Sequence, residues 1–232
     1  MDEAFCATQI WIWDSCFMSL FCKYARGAFP GVETLNNFYK PLYEGTRLPV
    51  IMPPEDEPDW TEAVYGTPYE IKVHLADNPP LFAWAEYENA LMEGNKEYLK
   101  ELLYDRGVLQ KHYEWIESLT ESRELPDTVL KRKNNLIAEK YGYKWEGGCS
   151  GMDNTPRGRT GEKANCVRPN NPNMLWIDAI CQQALSARSI SKLFAILDDE
   201  KSAKIWNERY EEKKQIVNEL YWDKRDEFYY DI

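Results

Sequence analysis

The hydrophobic positions of this chain recur at helical spacing in six stretches. Residues 13–27 carry Phe17, Met18, Leu20, Phe21 and Tyr24 around most of the circumference and end at Gly27, which predicts a buried helix. Residues 31–42 place Val32, Leu35, Phe38 and Leu42 on one face. After Asn78-Pro79-Pro80 a helix is predicted to Gly94, with proline in its first turn and glycine after its end. Leu81, Trp84, Ala85 and Leu91 share its inward face. Asn95 starts the next helix, whose stripe of Leu99, Leu102, Leu109, Tyr113 and Ile116 is interrupted near Gly107 and ends around Thr120. Residues 174–197 are apolar on nearly all sides, through Leu175, Ile177, Ile180, Leu185, Ile190, Leu193 and Phe194. Asp198 or Asp199 caps the last helix, to about Leu220. That helix has a single stripe of Ala203, Trp206, Tyr210, Val217 and Leu220, with Lys, Glu and Arg elsewhere. Near-fully apolar helices thus stand beside one-striped ones, as concentric inner and outer layers of helices require.

Two segments break the pattern. From Tyr43 to Asn78, prolines at 49, 53, 54, 58 and 68 and the aromatic residues Trp60, Tyr65 and Tyr69 mark a long ordered loop. Loops of this length in a compact domain carry function or are disordered, and the aromatic residues predict a wall of a substrate cleft. Residues 121–173 read as mostly irregular, rich in charge, Gly, Asn and Pro. Any strands are expected as short pieces on loops. The chain reads as one all-α domain over residues 1–232.

Composition narrows the partners. A net charge of −11 and a pI near 4.8 argue against nucleic acid and anionic membranes, whose phosphates would repel the chain. No apolar run approaches the roughly 18 residues of a membrane span. The first residues are acidic and lack a basic-then-apolar pattern, so no signal peptide is expected, and localisation is left open between cytoplasm and periplasm. Six cysteines in 232 residues are too sparse for a disulfide scaffold, and Cys16, Cys22 and Cys181 read as buried free thiols. There is no C-x-x-C, and His74 and His112 are far apart, so neither a metal site nor a cofactor is expected. Nine Trp and 15 Tyr against 8 Phe suit a sugar cleft, where flat rings meet pyranose C–H faces, and equally suit a large core.

The stretch Gly147-Gly148-Cys149-Ser150-Gly151-Met152-Asp153-Asn154-Thr155-Pro156-Arg157 holds the most chemistry. Its glycines allow the backbone to run close to a ligand, and Asn154-Thr155-Pro156 fixes a rigid turn displaying one carboxylate, Asp153. The same residues also suit a plain turn in which Asp153 bonds its own backbone.

Two further segments accompany it, Trp11-Ile12-Trp13-Asp14-Ser15-Cys16-Phe17 and Asn78-Pro79-Pro80-Leu81-Phe82-Ala83-Trp84-Ala85. In this order and spacing the three resemble glycoside hydrolase family 63 and its relatives in the trehalase-like clan. The tail, from Leu220-Tyr221-Trp222-Asp223 to Phe228-Tyr229-Tyr230-Asp231, resembles the helix end and short strand that follow in the same barrel. The resemblance implies an (α/α)6 toroid of the six-hairpin glycosidase type. Six helices make about half of its twelve, with long cleft-forming loops at one end. It implies an inverting α-glycosidase acting on α-glucosides or α-mannosides of oligosaccharides, with Asp153 as general acid. Trp11, Trp13 and Asp14 would hold the sugar to be released, Asn78 would bond a hydroxyl, and Arg157 would bond hydroxyls or brace Asp153. The family's base lies on a late loop, beyond residue 232. An open half-ring would leave an apolar edge prone to self-association.

Plainer roles stay open beside these: Asp14 and Asn78 as N-caps, Trp13 as core, Arg157 as an ion-pair partner. Asp178, in an apolar helix, must be paired or face a cleft. Cys149 stands where relatives often have Glu, and Met152 where trehalases have Trp, which favours family 63 over a trehalase. The alternatives are a non-catalytic carbohydrate-binding or scaffold protein, and another (α/α)6 carbohydrate enzyme.

Overall fold

A computed structural model describes residues 10–25, 27–39, 51–52, 81–121, 136–145 and 174–232. These residues are mostly helical, and their strands pair only as three two-stranded antiparallel pieces. β1 (Ile10–Trp11) pairs with β2 (Ile51–Met52). β3 (Leu136–Glu139) pairs with β4 (Gly142–Trp145), and β5 (Trp222–Asp223) with β6 (Phe228–Tyr229).

The helices form three consecutive hairpins among the described residues. The first joins α1 (Ile12–Cys22) and α2 (Gly31–Phe38). The second joins α3 (Phe82–Glu93) to α4 (Lys96–Lys100), which continues through a π-turn, Glu101–Arg106, into α5 (Val108–Glu117). The third joins α6 (Ile177–Ile196) and α7 (Glu200–Ile216), which ends in a second π-turn, Val217–Tyr221.

Contacts between helices fix their directions. Phe17 meets Trp84 edge-on, Ser19 Oγ accepts from Asn89 Nδ2, and Lys23 pairs with Glu88, so α1 and α3 run the same way. The α4–α5 segment runs against α3, because Tyr98 reaches Glu86 whereas His112 lies against Phe82. It also runs against α6: Lys96 and Tyr104 reach Asp198 and Asp199 past the end of that helix, whereas Tyr113 O accepts from Gln183. Hence α1, α3 and α6 are parallel, and their N-termini share one end of the array. Their hairpin partners return in the opposite sense, as Phe38 on Phe82 and Ser191 Oγ donating to Ala203 O require.

Local chemistry explains several helix ends. Asn95 caps α4 by accepting from the N–H of Tyr98 at 3.1 Å, and Asp199 caps α7 by accepting from that of Ser202 at 3.0 Å. Gly94 and Gly107 take left-handed conformations, φ 62° and 58°, that end α3 and the first π-turn. The expected stripe Leu99, Leu102, Leu109, Tyr113 and Ile116 is wholly buried. So are Val32, Leu35 and Phe38 of α2; Leu42 lies outside the described residues.

Other expectations are corrected. α1 ends at Cys22 and buries only Ile12, Ser15, Cys16 and Ser19, while Met18, Phe21 and Tyr24 are 47%, 69% and 73% exposed. Among the described residues α1 has packed neighbours, α2 and α3, on one side only, so its other side stays open. Leu91 is exposed, because the inward face of α3 follows Phe82, Glu86, Asn89 and Ala90 instead. Leu220 is exposed and Tyr221 buried, since the wider π-turn delays the inward position by one residue. α6 buries Ile180, Ile190, Leu193 and Phe194 but leaves Ile177 and Leu185 half-buried and the Cys181 thiol exposed. The β3–β4 hairpin replaces part of the segment read as irregular. No helix among the described residues is long and apolar enough to cross a membrane.

Candidate functional site

Two of the candidate residues stand at the shared N-terminal end of α1, α3 and α6. Trp13 and Asp14 lie in the first turn of α1. Asp14 is exposed, where the helix dipole favours its charge; it lies inside the helix and is not the residue preceding it. Trp13 is half-buried. Its ring packs edge-on against Phe17, centroids 5.0 Å apart, and Phe17 packs edge-on against Trp84 of α3 at 5.9 Å. The indole is thus partly buried against the core and partly exposed. Trp11 precedes it in β1, where its backbone pairs with Ile51. Asn78, Asp153 and Arg157 lie outside the described residues.

The start of α6, the next described helix after the Asp153 segment, is held from two directions. The N–H of Ile177 donates to Asp231 Oδ1 at 2.9 Å, and Leu175 and Ile232 exchange backbone hydrogen bonds. From the other side, Trp176 N–H donates to Tyr143 O of β4 at 2.9 Å. The hairpin itself is fixed by a carboxylate: Glu117 Oε1 accepts from the Tyr143 hydroxyl and from Gln183 Nε2, and Glu117 Oε2 accepts from Lys213. This network joins α5, α6, α7 and β4. Asp178 sits half-buried in the first turn of α6, where its charge meets the positive end of the helix dipole.

Sequence reasoning missed Glu86. It is 1% exposed and lies on the buried face of α3, where its Oε1 accepts from both the Tyr39 and Tyr98 hydroxyls at 2.9 Å. Burial raises its pKa to about 7, against the lowering effect of these hydroxyls and of Arg106. Arg106 stacks over both tyrosine rings and donates twice to Asn36 Oδ1, so one buried cluster ties the first two hairpins together. The signal was present in the sequence: Glu86 follows Phe82 by one helical turn on the same face, where a carboxylate requires partners.

No family model matches the chain. Over 226 residues it is 27% identical to an uncharacterized protein of Borreliella burgdorferi, a match covering 94% of this chain and 37% of that protein. The chain thus spans little more than a third of the length of that curated relative.

Proposed function

We propose that these residues form the acid-bearing part of an inverting α-glycoside hydrolase acting on α-glucosides or α-mannosides of oligosaccharides, with the three hairpins as half of an (α/α)6 toroid. One relationship carries the reading. The W-x-W-D-S-x-F and N-P-P-L-F-A-W-A segments open α1 and α3, and S-G-M-D-N-T-P-R precedes α6. These three helices are parallel, so Trp13 and Asp14 stand at the end of the array where α3 and α6 begin, which supports a shared site at that end.

In this reading Asp153 protonates the leaving oxygen, and a base outside these 232 residues activates the water. Trp11, Trp13 and Asp14 hold the released sugar; the partial exposure of Trp13 supports stacking and the exposed Asp14 carboxylate supports hydroxyl binding. Asn78 bonds a further hydroxyl, and Arg157 steadies Asp153 or the substrate. No cofactor takes part. The exposed apolar side of α1 is the ring's open edge and the surface through which the half-ring self-associates.

The test uses the longest natural polypeptide containing these residues, with α-glucosyl and α-mannosyl oligosaccharides as substrates. Proton NMR of the first product is expected to show a β-anomer. Asp153→Asn, which has no proton to donate, is expected to lower kcat by about 10²–10⁴-fold while retaining binding. A retained α-configuration, or full turnover by the Asn variant, overturns the proposal.

A further inference from the structure

Glu86 stands where the first two hairpins meet, and its partners come from both. Tyr39, just past the end of α2, and Tyr98 of α4 each donate a hydroxyl to its Oε1 at 2.9 Å. No ion pair reaches this carboxyl among the described residues. The guanidinium of Arg106 acts on it at longer range, because both its Nη groups donate to Asn36 Oδ1 at 3.1 Å and its Nε lies 3.4 Å from Glu101. The remaining groups nearby do not offset a negative charge. Glu93 of α3 opposes it, and the buried Cys16 thiol of α1 is influenced by Glu86 and by Asp14. His112 of α5 packs on Phe82, one turn earlier in α3. An ionised Glu86 therefore sits in the junction with two neutral hydroxyls and one engaged cation, which burial makes costly. That cost is why the carboxyl keeps its proton up to about 7.

The first hairpin is the part free to give way. Among the described residues α1 has packed neighbours on one side only, α2 and α3. Water also stands close. A cavity of about 420 Å³ is lined by Asn36, Glu93 and Tyr98, so the Tyr98 side chain alone separates it from Glu86. A parting of α2 from α4 at that point hydrates the carboxylate without disturbing α6 and α7, which the Glu117 network holds to α5 and β4.

We propose that Glu86 is a pH-sensitive latch: protonated, it holds the first hairpin against the second; ionised, it releases that hairpin while the other two stay folded. The latch does not depend on the glycosidase reading. Its sign follows from linkage. The closed form binds a proton that the open form gives up near 4.5, so opening increases with pH up to about 7 and then levels off.

Hydrogen exchange by mass spectrometry on the 232-residue chain between pH 5 and 8, each rate divided by the intrinsic rate at that pH, tests it. Amides of α1 and α2 are expected to be about tenfold or more less protected than the slowest of α6, as a local opening requires. Their protection should fall about tenfold per pH unit up to pH 7 and level off above it. Glu86→Gln, which cannot ionise, should abolish the fall. Tyr39→Phe removes a hydroxyl that favours the ionised form, so the fall should continue to higher pH. Protection of α1 and α2 equal to that of the slowest α6 amides would mean that only global unfolding frees Glu86, and overturns the proposal. So does protection that is independent of pH, an unchanged fall in Glu86→Gln, or an unmoved levelling point in Tyr39→Phe.

Discussion

The backbone N–H of Ile177 donates to Asp231 Oδ1 at 2.9 Å, so a carboxylate from the tail closes the N-terminus of α6. An acceptor there satisfies a donor that no intrahelical carbonyl can reach, and its charge meets the positive end of the helix dipole. Asp231→Ala is expected to cost about 0.5–2 kcal/mol in urea unfolding, and Asp231→Asn less, because the amide oxygen still accepts. An Ala variant as stable as the parent would show that the tail does not hold this helix.

Glu86 makes stability depend on pH with a definite sign. Its carboxyl ionises near 4.5 when free and near 7 when folded. Between these values the folded protein holds a proton that the unfolded chain has released, so stability falls as pH rises through the window and levels off above it. At 1.36 kcal/mol per unit the swing is about 3 kcal/mol. Glu86→Gln keeps an acceptor for Tyr39 and Tyr98 but cannot ionise. Its stability is expected not to fall over this range and to exceed the parent's above pH 7 by about 2–3 kcal/mol. Parallel stability curves for the two proteins would refute the assignment.

The β3–β4 turn depends on a glycine for space. A Cβ on Gly142 would collide with the Tyr221 hydroxyl, which donates to Tyr141 O at 2.9 Å. Gly142→Ala is expected to destabilise the protein by about 1–3 kcal/mol. Tyr221→Phe removes the colliding atom, so the double variant should lose less than the two single changes together. Rescue stays partial, since Leu175 Cβ and the Tyr221 ring also lie within 3.4 Å of the added carbon. Strict additivity in a double-mutant cycle would show that the hydroxyl is not what the methyl group meets.

Periodicity made the helices legible because each buries a stripe, and α5 buries every residue its spacing picked out. What periodicity cannot convey is which stripes find a neighbour. Met18 and Phe21 are as apolar as Leu35 and Phe38, yet only the second pair is covered among the described residues. Leu220 failed for a different reason, because a π-turn changes the period that the reading assumes. The hairpin was readable: Leu136, Ala138, Tyr143 and Trp145 alternate with less buried positions, but the surrounding charge and glycine masked a period of two. At the candidate site the helix start under Trp13 and Asp14 was legible, whereas the common direction of α1, α3 and α6 rests on contacts between distant residues such as Asn89 and Ser19.

The open side of α1 carries a prediction about association. Met18 and Phe21 are 47% and 69% exposed on one helix face, a surface that a monomer in water has reason to cover. Sedimentation velocity on the 232-residue chain is expected to show concentration-dependent association. Replacing both residues by Ser should weaken it by about tenfold or more without lowering stability. A chain that stays monomeric at high concentration would remove α1 as the open edge.

The final prediction concerns turnover by these residues alone. An inverting site needs two carboxyls about 6.5–9.5 Å apart, one protonating the leaving oxygen and one activating the water between. Asp153 is the proposed acid, and the proposed base lies outside the 232 residues. Binding and turnover should therefore separate. The 232-residue chain is expected to bind an α-glucoside or α-mannoside at the Trp13 end, with affinity lowered by Trp13→Ala. Its hydrolysis should be slower by about 10²–10⁴-fold than that of the longer polypeptide, the loss typical of a missing general base. Initial-rate measurements on both proteins with the same substrate decide it. Equal rates would mean that a second carboxylate within this chain serves as base, and Asp14, exposed in the first turn of α1, would be the first to replace by Asn.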